Sequence, residues 1–353
     1  MLFGKHYVVG KILTLTTTSL SIALVYLITK KLSQRTAAVF ASIIFVMLPS
    51  FLAFSAIGYG MWECLFFFLM SIYLIQKSKP VEASLFFLLA FFTRYISILY
   101  IPLLLLLNPR EIKKFFLSFS ILSVIFLLLF LSAFGKDFFT QTILFHIASK
   151  VEKSSMSNFQ QYWSIGLFTT FLAIFSLIYG LISKNRKLIL TPLLPLSIDF
   201  ILLALLKTPF YHYFLLSTPF YAISIGIFLS SQRNYLGKFF VAIILLSAVV
   251  WNLKTIKFYW SEQFSNELDR IANVIKVETD VDDEIFGEPI VTNFISFKLN
   301  RGISDNLLDS YMAHLQFEGI EKIVNQLRKG KPVIFIDMVT SKGDYFLINE
   351  HFK

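Results

Sequence analysis

The chain has 353 residues, of which 56% are hydrophobic and 41 are phenylalanine, and its formal net charge is +10. Its mean hydropathy of +0.70 excludes a single water-soluble domain, in which about half of the residues are apolar and a quarter are charged. The positive charge lies in short loops between apolar runs rather than on a helix face with stacking aromatics, which argues against a nucleic-acid partner. Cys64 is the only cysteine, so the chain can form neither an internal disulfide nor a multi-cysteine metal site.

Charge divides the sequence into two parts. The first 253 residues carry 20 Lys and Arg but six Asp and Glu, whereas the last 100 carry 12 basic and 16 acidic residues. A bilayer excludes charge from its hydrocarbon core and collects Lys and Arg in cytoplasmic loops. We therefore predict a transmembrane domain over residues 1–256 and a soluble domain over residues 257–353.

Ten apolar segments are predicted in the first part. They are Val8–Thr29, Ala37–Ala56, Met61–Ile75, Ala83–Phe92, Ile96–Leu107, Phe115–Phe134, Ser164–Ser183, Leu188–Leu206, Phe214–Ser230 and Phe239–Leu253. The fourth and fifth are shorter than the roughly 20 residues of a spanning helix, so they are two thin helices or one helix broken at Thr93-Arg94-Tyr95. Two helices are favoured, because the basic loops then all fall on one side.

That side is assigned to the cytoplasm by the positive-inside rule. Its basic residues are Lys30, Lys31, Arg35, Lys77, Lys79, Arg110, Lys113, Lys114, Lys184, Arg186, Lys187, Arg233 and Lys238. Both chain ends of this multi-pass plasma-membrane protein then lie outside. An outside N-terminus so close to a first span usually follows an upstream helix, so we expect such a helix to be missing. No removable signal peptide is predicted.

Beyond about Lys257 the pattern becomes that of a small α/β module. Helical spacing predicts helices at Glu267–Val277 and Asp309–Leu327, and β-branched runs predict strands at Glu284–Val291 and Pro332–Met338. The expected fold is thus a polytopic α-helical membrane protein of about ten segments, some short and broken, with a C-terminal α/β extracytoplasmic domain.

Glu63 is the carboxylate of the membrane part that we single out. It follows the turn Gly58-Tyr59-Gly60 and starts a predicted helix at the outer membrane edge, where a charged group is a functional-site hypothesis. A helix-start acid stabilised by the helix dipole explains it equally well. Structural or solvated roles are expected for the other acids: surface charge for Glu82 and Glu111, solvation for Asp137 and Glu152, and pairing within the protein, with a basic residue as one candidate partner, for Asp199.

Basic groups on the predicted outer side form a second candidate set, consisting of Arg94, His146, Lys150, Lys207 and His212. Together they are expected to line a cavity that binds phosphate at the level of the lipid headgroups. Two structural explanations stay open, since Arg and Lys often snorkel at interfaces and His212 with Tyr213 is also typical of an aromatic anchor. The loop Gly135–Trp163 carries an apolar stripe with lysines at its ends, which predicts an interfacial helix that covers a lipid-linked substrate.

Taken together, these features resemble the GT-C superfamily of membrane glycosyltransferases, and more narrowly its dolichyl-phosphate-mannose protein mannosyltransferase-like group. The resemblance extends over nearly the whole chain. The segment from Phe3-Gly4 through Lys30-Lys31 resembles the family's second transmembrane helix, and Thr93-Arg94-Tyr95 resembles its basic turn. Tyr211-His212-Tyr213 with Pro219 resembles its late outer turn. Ile285-Phe286-Gly287-Glu288 and Asp309-Ser310-Tyr311 resemble extracytoplasmic domains of prokaryotic members.

The resemblance implies transfer of a hexose such as mannose from a polyprenyl-phosphate carrier to a protein, glycan or lipid acceptor at the outer membrane face, with inversion. It implies that Glu63 is the catalytic carboxylate at the family's second acidic position, where Asp is usual. It also implies that substrate is bound by Arg94, Tyr95, His146, Lys207, His212 and Tyr213. The need for a divalent cation is left open.

Two alternatives stand beside this interpretation. The family's first helix and first acidic loop have no counterpart in the sequence, which favours, as first alternative, a truncated or non-catalytic member that binds a lipid-linked glycan. The second alternative is a transporter or flippase. It is disfavoured because no internal or inverted repeat is visible and Asp199 is the only carboxylate within a predicted span.

Overall fold

The structure is a computed structural model. It describes residues 7–48, 51, 60–107, 109–135, 138, 155–205, 211–231, 262–278, 280–287, 295–296, 298–303 and 334–336, with isolated positions between 235 and 253. The predicted helix Asp309–Leu327 and most of the predicted segment Phe239–Leu253 lie outside these residues.

Helices dominate the described residues. The α-helices are α1 (Tyr7–Leu32), α2 (Arg35–Met47), α3 (Met61–Gln76), α4 (Pro80–Thr93), α5 (Ile101–Leu107), α6 (Ile112–Phe134), α7 (Ser155–Ile182), α8 (Arg186–Leu205), α9 (Thr218–Ser231) and α10 (Glu262–Glu278). Short 3-10 helices occupy Tyr95–Tyr100, Pro109–Glu111 and Tyr211–Leu216. The strands are β1 (Glu284–Gly287), β2 (Gly302–Ile303) and β3 (Ile334–Ile336).

Among the described residues, four helical stretches are long and apolar enough to cross a membrane, namely Ile12–Leu32, Ile112–Phe134, Arg186–Ala204 and Tyr213–Ser231. They fit the predicted α-helical membrane-embedded protein. The most apolar part of α6 is only 6% buried, as expected of a lipid-facing helix, whereas that of Tyr213–Ser231 is 89% buried. Shorter apolar helices such as α2, α3 and α4 accompany them, and the count of ten crossings stays a prediction.

The predicted break at Thr93-Arg94-Tyr95 is confirmed. Helix α4 ends at Thr93, and Arg94 has an extended backbone with φ −152° and ψ 114°. Its N–H still donates to Ala90 O at 2.9 Å, which closes the last turn of α4. The chain then re-enters a helix as the 3-10 turn Tyr95–Tyr100 and continues into α5, so the two short segments are separate pieces.

The loop predicted over Gly135–Trp163 is corrected at its C-terminal end, because α7 begins at Ser155. Hydropathy identifies only the part of a helix that is apolar enough for the hydrocarbon core of a membrane. Helical backbone hydrogen bonding here extends further, through the polar residues before Trp163. Serine is a residue type that favours helix starts. Of the predicted interfacial stripe, Phe138 alone lies within the described residues, and its ring stacks on that of Phe130 with centroids 5.3 Å apart.

Helices α2 and α9 pack through small residues. A Cβ on Gly226 would lie 2.6 Å from Ala37 O and 2.8 Å from Ala41 Cβ, so the two backbones approach as closely as glycine permits. Small residues allow such approach between membrane helices, where dispersion replaces the hydrophobic effect as the driving force. Every residue of α9 from Thr218 to Leu229 is buried.

Polar contacts place four basic or polar loops at one end of the helical bundle. Lys31 Nζ donates to Gln76 O at the end of α3, and Lys187 Nζ donates to Leu32 O at the end of α1. Gln34 Nε2 donates to Ser230 O, near the end of α9, at 3.4 Å. These donors satisfy carbonyls that helix C-termini leave free, and the lysines also complement the helix dipole. Thr14 and Glu63 lie toward the other ends of α1 and α3, about 25 Å and 20 Å away at 1.5 Å per residue.

The chain divides into two compact units, one formed by Gly10–Leu129 with Glu152–Tyr259 and the other by Trp260–Lys353 with Met1–Val9 and Phe130–Val151. The second contains a three-stranded parallel sheet in the order β2-β1-β3, with Ile285 opposite Ile303 and Ile334. Ala272 and Ile275 of α10 pack with Ile285 of β1. Strands thus lie within both predicted runs, and α10 covers the predicted helix Glu267–Val277.

Candidate functional site at the Glu63 end of the bundle

Glu63 lies in the first turn of α3, where its charge complements the positive end of the helix dipole. Its Oε1 accepts a hydrogen bond of 2.9 Å from Thr14 Oγ1 on α1. Its Oε2 is buried and has no hydrogen-bond partner among the described residues. Buried carboxylate oxygens are nearly always hydrogen-bonded in folded proteins, so Oε2 is available to a bound hydroxyl.

Gly60 shapes the backbone that presents Glu63. It precedes α3 with φ +72°, the left-handed region that glycine adopts without steric cost. A Cβ placed on Gly60 would point toward the end of α4, and it would lie 3.6 Å from Thr93 Cγ2 and 3.9 Å from Arg94 Nε. These are ordinary contact distances, so glycine is required here by the positive φ, and the Arg94 guanidinium lies close to the start of α3.

The structure brings Glu63 and Arg94, two residues singled out from the sequence, to the same end of the bundle. Both charges act electrostatically on the Cys64 thiol, which follows Glu63 in α3 and donates to Ala90 O at 3.4 Å. The Arg94 charge also acts on the Tyr213 hydroxyl. A carboxylate and a guanidinium thus lie at one end of the bundle, with a phenol within electrostatic range of the guanidinium.

The remaining predicted site residues are distributed as follows. Tyr95 packs edge-to-face on Phe91, with ring centroids 5.1 Å apart. The backbone of His212 belongs to the 3-10 helix Tyr211–Leu216, while its side chain lies outside what the structure describes. Lys207 and His146 lie outside the described residues. Of the predicted set, the structure thus places Glu63 and Arg94 at the same end of the bundle, and Tyr213 lies within electrostatic range of Arg94.

A buried aromatic cluster supports the start of α3. Trp62 is fully buried, and its ring meets those of Phe51 and Phe45 edge-to-face at 5.0 and 6.2 Å. Such pairs add about 0.5 to 1.5 kcal/mol each beyond the burial of apolar area. Trp62 is therefore a packing residue that fixes the helix end on which Glu63 stands.

Thr14 and the surroundings of Asp199 were not found from the sequence. Thr14 belongs to the polar run Thr14 to Ser19 inside an apolar helix, and that run was the available signal. Asp199 of α8 is 2% exposed and accepts hydrogen bonds from Ser217, Tyr221 and Tyr100. The partners of Asp199 in this network are hydroxyl groups. Pairing of Asp199 with a basic residue stays a prediction.

The described residues form no multidentate cluster of metal-binding side chains. No group of three or more His, Cys, Asp or Glu side chains comes together in the part of the chain that the structure describes. At the candidate site, the oxygen ligands among the described residues are the Glu63 carboxylate and the Thr14 hydroxyl. Mg²⁺ is commonly held by one or two carboxylates together with waters and substrate phosphates, so the need for a divalent cation stays open.

Comparison with known proteins does not extend this picture. No protein-family model and no curated protein sequence matches the chain.

Proposed function

We propose that the protein is a GT-C-like membrane glycosyltransferase, which moves a hexose such as mannose from a polyprenyl-phosphate carrier to a hydroxyl of a protein, glycan or lipid acceptor. Glu63 is the general base and Arg94 binds the phosphate of the donor. Tyr213 and Tyr95, with His146, Lys207 and His212, complete the substrate-binding set. The observation that carries the proposal is the buried Oε2 of Glu63, which has no hydrogen-bond partner among the described residues and lies at the bundle end that also holds Arg94.

The reaction needs the two charges in complementary roles. The acceptor oxygen attacks the anomeric carbon and loses its proton to Glu63 Oε2, while Thr14 holds Oε1. The bond from the anomeric carbon to the phosphate oxygen breaks, and its electron pair stays on the polyprenyl phosphate. The guanidinium of Arg94 stabilises that leaving group, since it matches phosphate in bidentate fashion. Attack on the face opposite the leaving group inverts the configuration of the anomeric carbon.

In the proposed orientation, the site faces the outer side of the plasma membrane. The lysines that cap α1 and α3 lie at the far end of the bundle, as basic cytoplasmic loops would. The module from residue 257 to 353 is then an extracytoplasmic α/β domain. Access of external protease to that module in sealed right-side-out vesicles tests the orientation, and access only after lysis contradicts it.

The test of activity is donor turnover by the purified protein in vesicles that contain polyprenyl-phosphate mannose or glucose. Mass spectrometry follows the release of polyprenyl phosphate in the presence of peptide, glycan and lipid hydroxyl acceptors. Glu63→Gln conserves shape but removes the base, so turnover should fall about 10²-fold or more. Glu82→Gln is the matched control, because Glu82 also lies in the first turn of a helix but is solvent-exposed, 3.5 Å from Lys79 Nζ.

Each outcome has a distinct meaning. Equal turnover by Glu63→Gln and the wild type removes Glu63 from the chemistry. Saturable binding of the donor without turnover supports the non-catalytic alternative, a protein that holds a lipid-linked glycan. Movement of the intact donor between leaflets, without cleavage, supports the flippase. Absence of binding, turnover and movement contradicts the proposed function altogether.

A further inference from the structure

A carboxylate lies inside the membrane part of the bundle, away from the candidate base. Asp199 of α8 is 2% exposed. An ionisable group within a transmembrane helix is costly and persists where protein donors or a function retain it. What surrounds Asp199 therefore indicates what it does.

Three hydroxyl groups donate to Asp199. Ser217 Oγ and Tyr100 Oη lie 2.5 and 3.4 Å from Oδ1, and Tyr221 Oη lies 2.5 Å from Oδ2. The Tyr100 and Ser217 hydroxyls are also within 3.0 Å of each other. Both carboxylate oxygens are thus engaged by side chains from two other stretches of the chain.

The stretches that contain Tyr100 and Ser217 are continuous in sequence with residues of the candidate site. Tyr100 is the last residue of the 3-10 helix Tyr95–Tyr100, which begins immediately after Arg94. Ser217 directly follows the 3-10 helix Tyr211–Leu216, which contains Tyr213. The Tyr100 ring also packs edge-to-face on Phe68 of α3, the helix that carries Glu63, with centroids 5.8 Å apart.

Short 3-10 helices depend on such contacts for their position. Their hydrogen bonds have poorer geometry than those of α-helices, and runs of six residues are at the upper end of their length. Replacement of a complete buried ion pair by apolar residues is often neutral, whereas removal of one partner is destabilising because it leaves the other groups unsatisfied. Loss of Asp199 alone would therefore remove the acceptor that these two stretches share.

We infer that Asp199 is a positioning residue, which ties together the inner ends of the two 3-10 helices and so holds Arg94 and Tyr213 in place beside Glu63. The inference rests on the proposed function, because it assigns Asp199 to the donor-binding end of the same site. Asp199 itself does not touch substrate.

Hydrogen–deuterium exchange of the protein in lipid nanodiscs tests the anchor without any assay of activity. In Asp199→Leu, amide exchange should rise roughly tenfold or more in both 3-10 helices, because their shared acceptor is gone. In Asp199→Asn it should stay near the wild-type rate, since the amide oxygen still accepts from Ser217 and Tyr100 and its NH₂ can donate to the Tyr221 hydroxyl. Unchanged exchange in Asp199→Leu overturns the inference.

Two milder variants separate the two connections and remain informative if Asp199→Leu does not fold. Tyr100→Phe should speed exchange in Tyr95–Tyr100 alone, and Ser217→Ala in Tyr211–Leu216 alone. The matched control is Ser224→Ala, which removes a buried hydroxyl 2.5 Å from that of Ser176 in the same bundle. It should leave both 3-10 helices unchanged, and equal acceleration there by the control overturns the assignment to Asp199.

Binding of short-chain polyprenyl phosphate then links the anchor to the site. Asp199→Leu should weaken binding roughly tenfold in the presence of Arg94, and should have no further effect in an Arg94→Ala background. Additive losses overturn the connection to Arg94. If exchange responds as expected but the wild type binds no polyprenyl phosphate, the anchor stands and the proposed function fails.

Discussion

Substitution of Gly226 by alanine tests how tightly α2 and α9 are joined. On an open helix face, Gly→Ala stabilises a helix by about 1 kcal/mol. Here the new Cβ would lie 2.6 Å from Ala37 O and 2.7 Å from Ala41 N, distances that real Cβ atoms do not show. The helices must therefore separate by about 0.4 Å or more to restore contacts near 3.0 Å.

The expected magnitude follows from these two opposing terms. Overpacking in a tight interface costs about 1 to 3 kcal/mol, and the gain in helix propensity offsets about 1 kcal/mol of it. Gly226→Ala should thus lower the free energy of unfolding by up to about 2 kcal/mol. Adding Ala41→Gly should not restore stability, because the two closest contacts are to backbone atoms that trimming a side chain leaves in place.

Reversible unfolding in mixed detergent micelles, followed by circular dichroism, measures this change. Gly180→Ala is the control, since its Cβ would meet Leu188 at 2.9 Å and requires a smaller adjustment. It should therefore be less harmful than Gly226→Ala. A Gly226→Ala protein that is more stable than the wild type, as expected of an open helix face, would refute the close contact between these helices.

Three further predictions concern the candidate site. Thr14→Val keeps the side-chain shape but removes the hydroxyl that donates a hydrogen bond to Glu63 Oε1. It should slow turnover of the sugar donor by about tenfold or more, the equivalent of a hydrogen bond to a charged group. Unchanged turnover would assign Thr14 a packing role. Gly60→Ala forces a positive φ on alanine and should lower the free energy of unfolding by about 1 to 2 kcal/mol, which detergent unfolding measures. Arg94→Ala should weaken polyprenyl-phosphate binding by about 1.5 to 3 kcal/mol, whereas the exposed Arg110→Ala should not, and equal affinities would remove Arg94 from the site.

Local signals in the sequence predicted the elements that carry the site. Gly60 before an apolar run marked the start of α3 and hence the place of Glu63. The polar triplet around Arg94 marked the break after α4, because a charged residue interrupts an apolar run wherever the chain reaches the membrane edge. Alternation of basic loops predicted which helix ends meet, and the contacts of Lys31 and Lys187 agree with it.

Long-range pairings could not be read from local pattern. Thr14 and Glu63 are 49 positions apart, and Asp199 reaches Tyr100 across 99 positions. Hydropathy records how apolar a segment is but not which of its faces meets which neighbour, so the hydroxyl donors around Asp199 looked like ordinary residues of apolar helices. The start of α7 was missed for a related reason, since helical hydrogen bonding continues past the apolar region.

The burial of α9 has a consequence for how the protein is made. Its partner helix α2 is synthesised about 180 residues earlier, and at about 5 to 20 residues per second that interval lasts roughly 10 to 35 s. During this time the alanine face of α2 that receives Gly226 has no helix to pack on. Until α9 has been synthesised, the surface of α2 that α9 covers in the folded protein lacks this partner. Helix α9 therefore packs on α2 after the helices between them have left the ribosome. This chain order requires that the contact between α2 and α9 forms after the helices up to α8 have been synthesised.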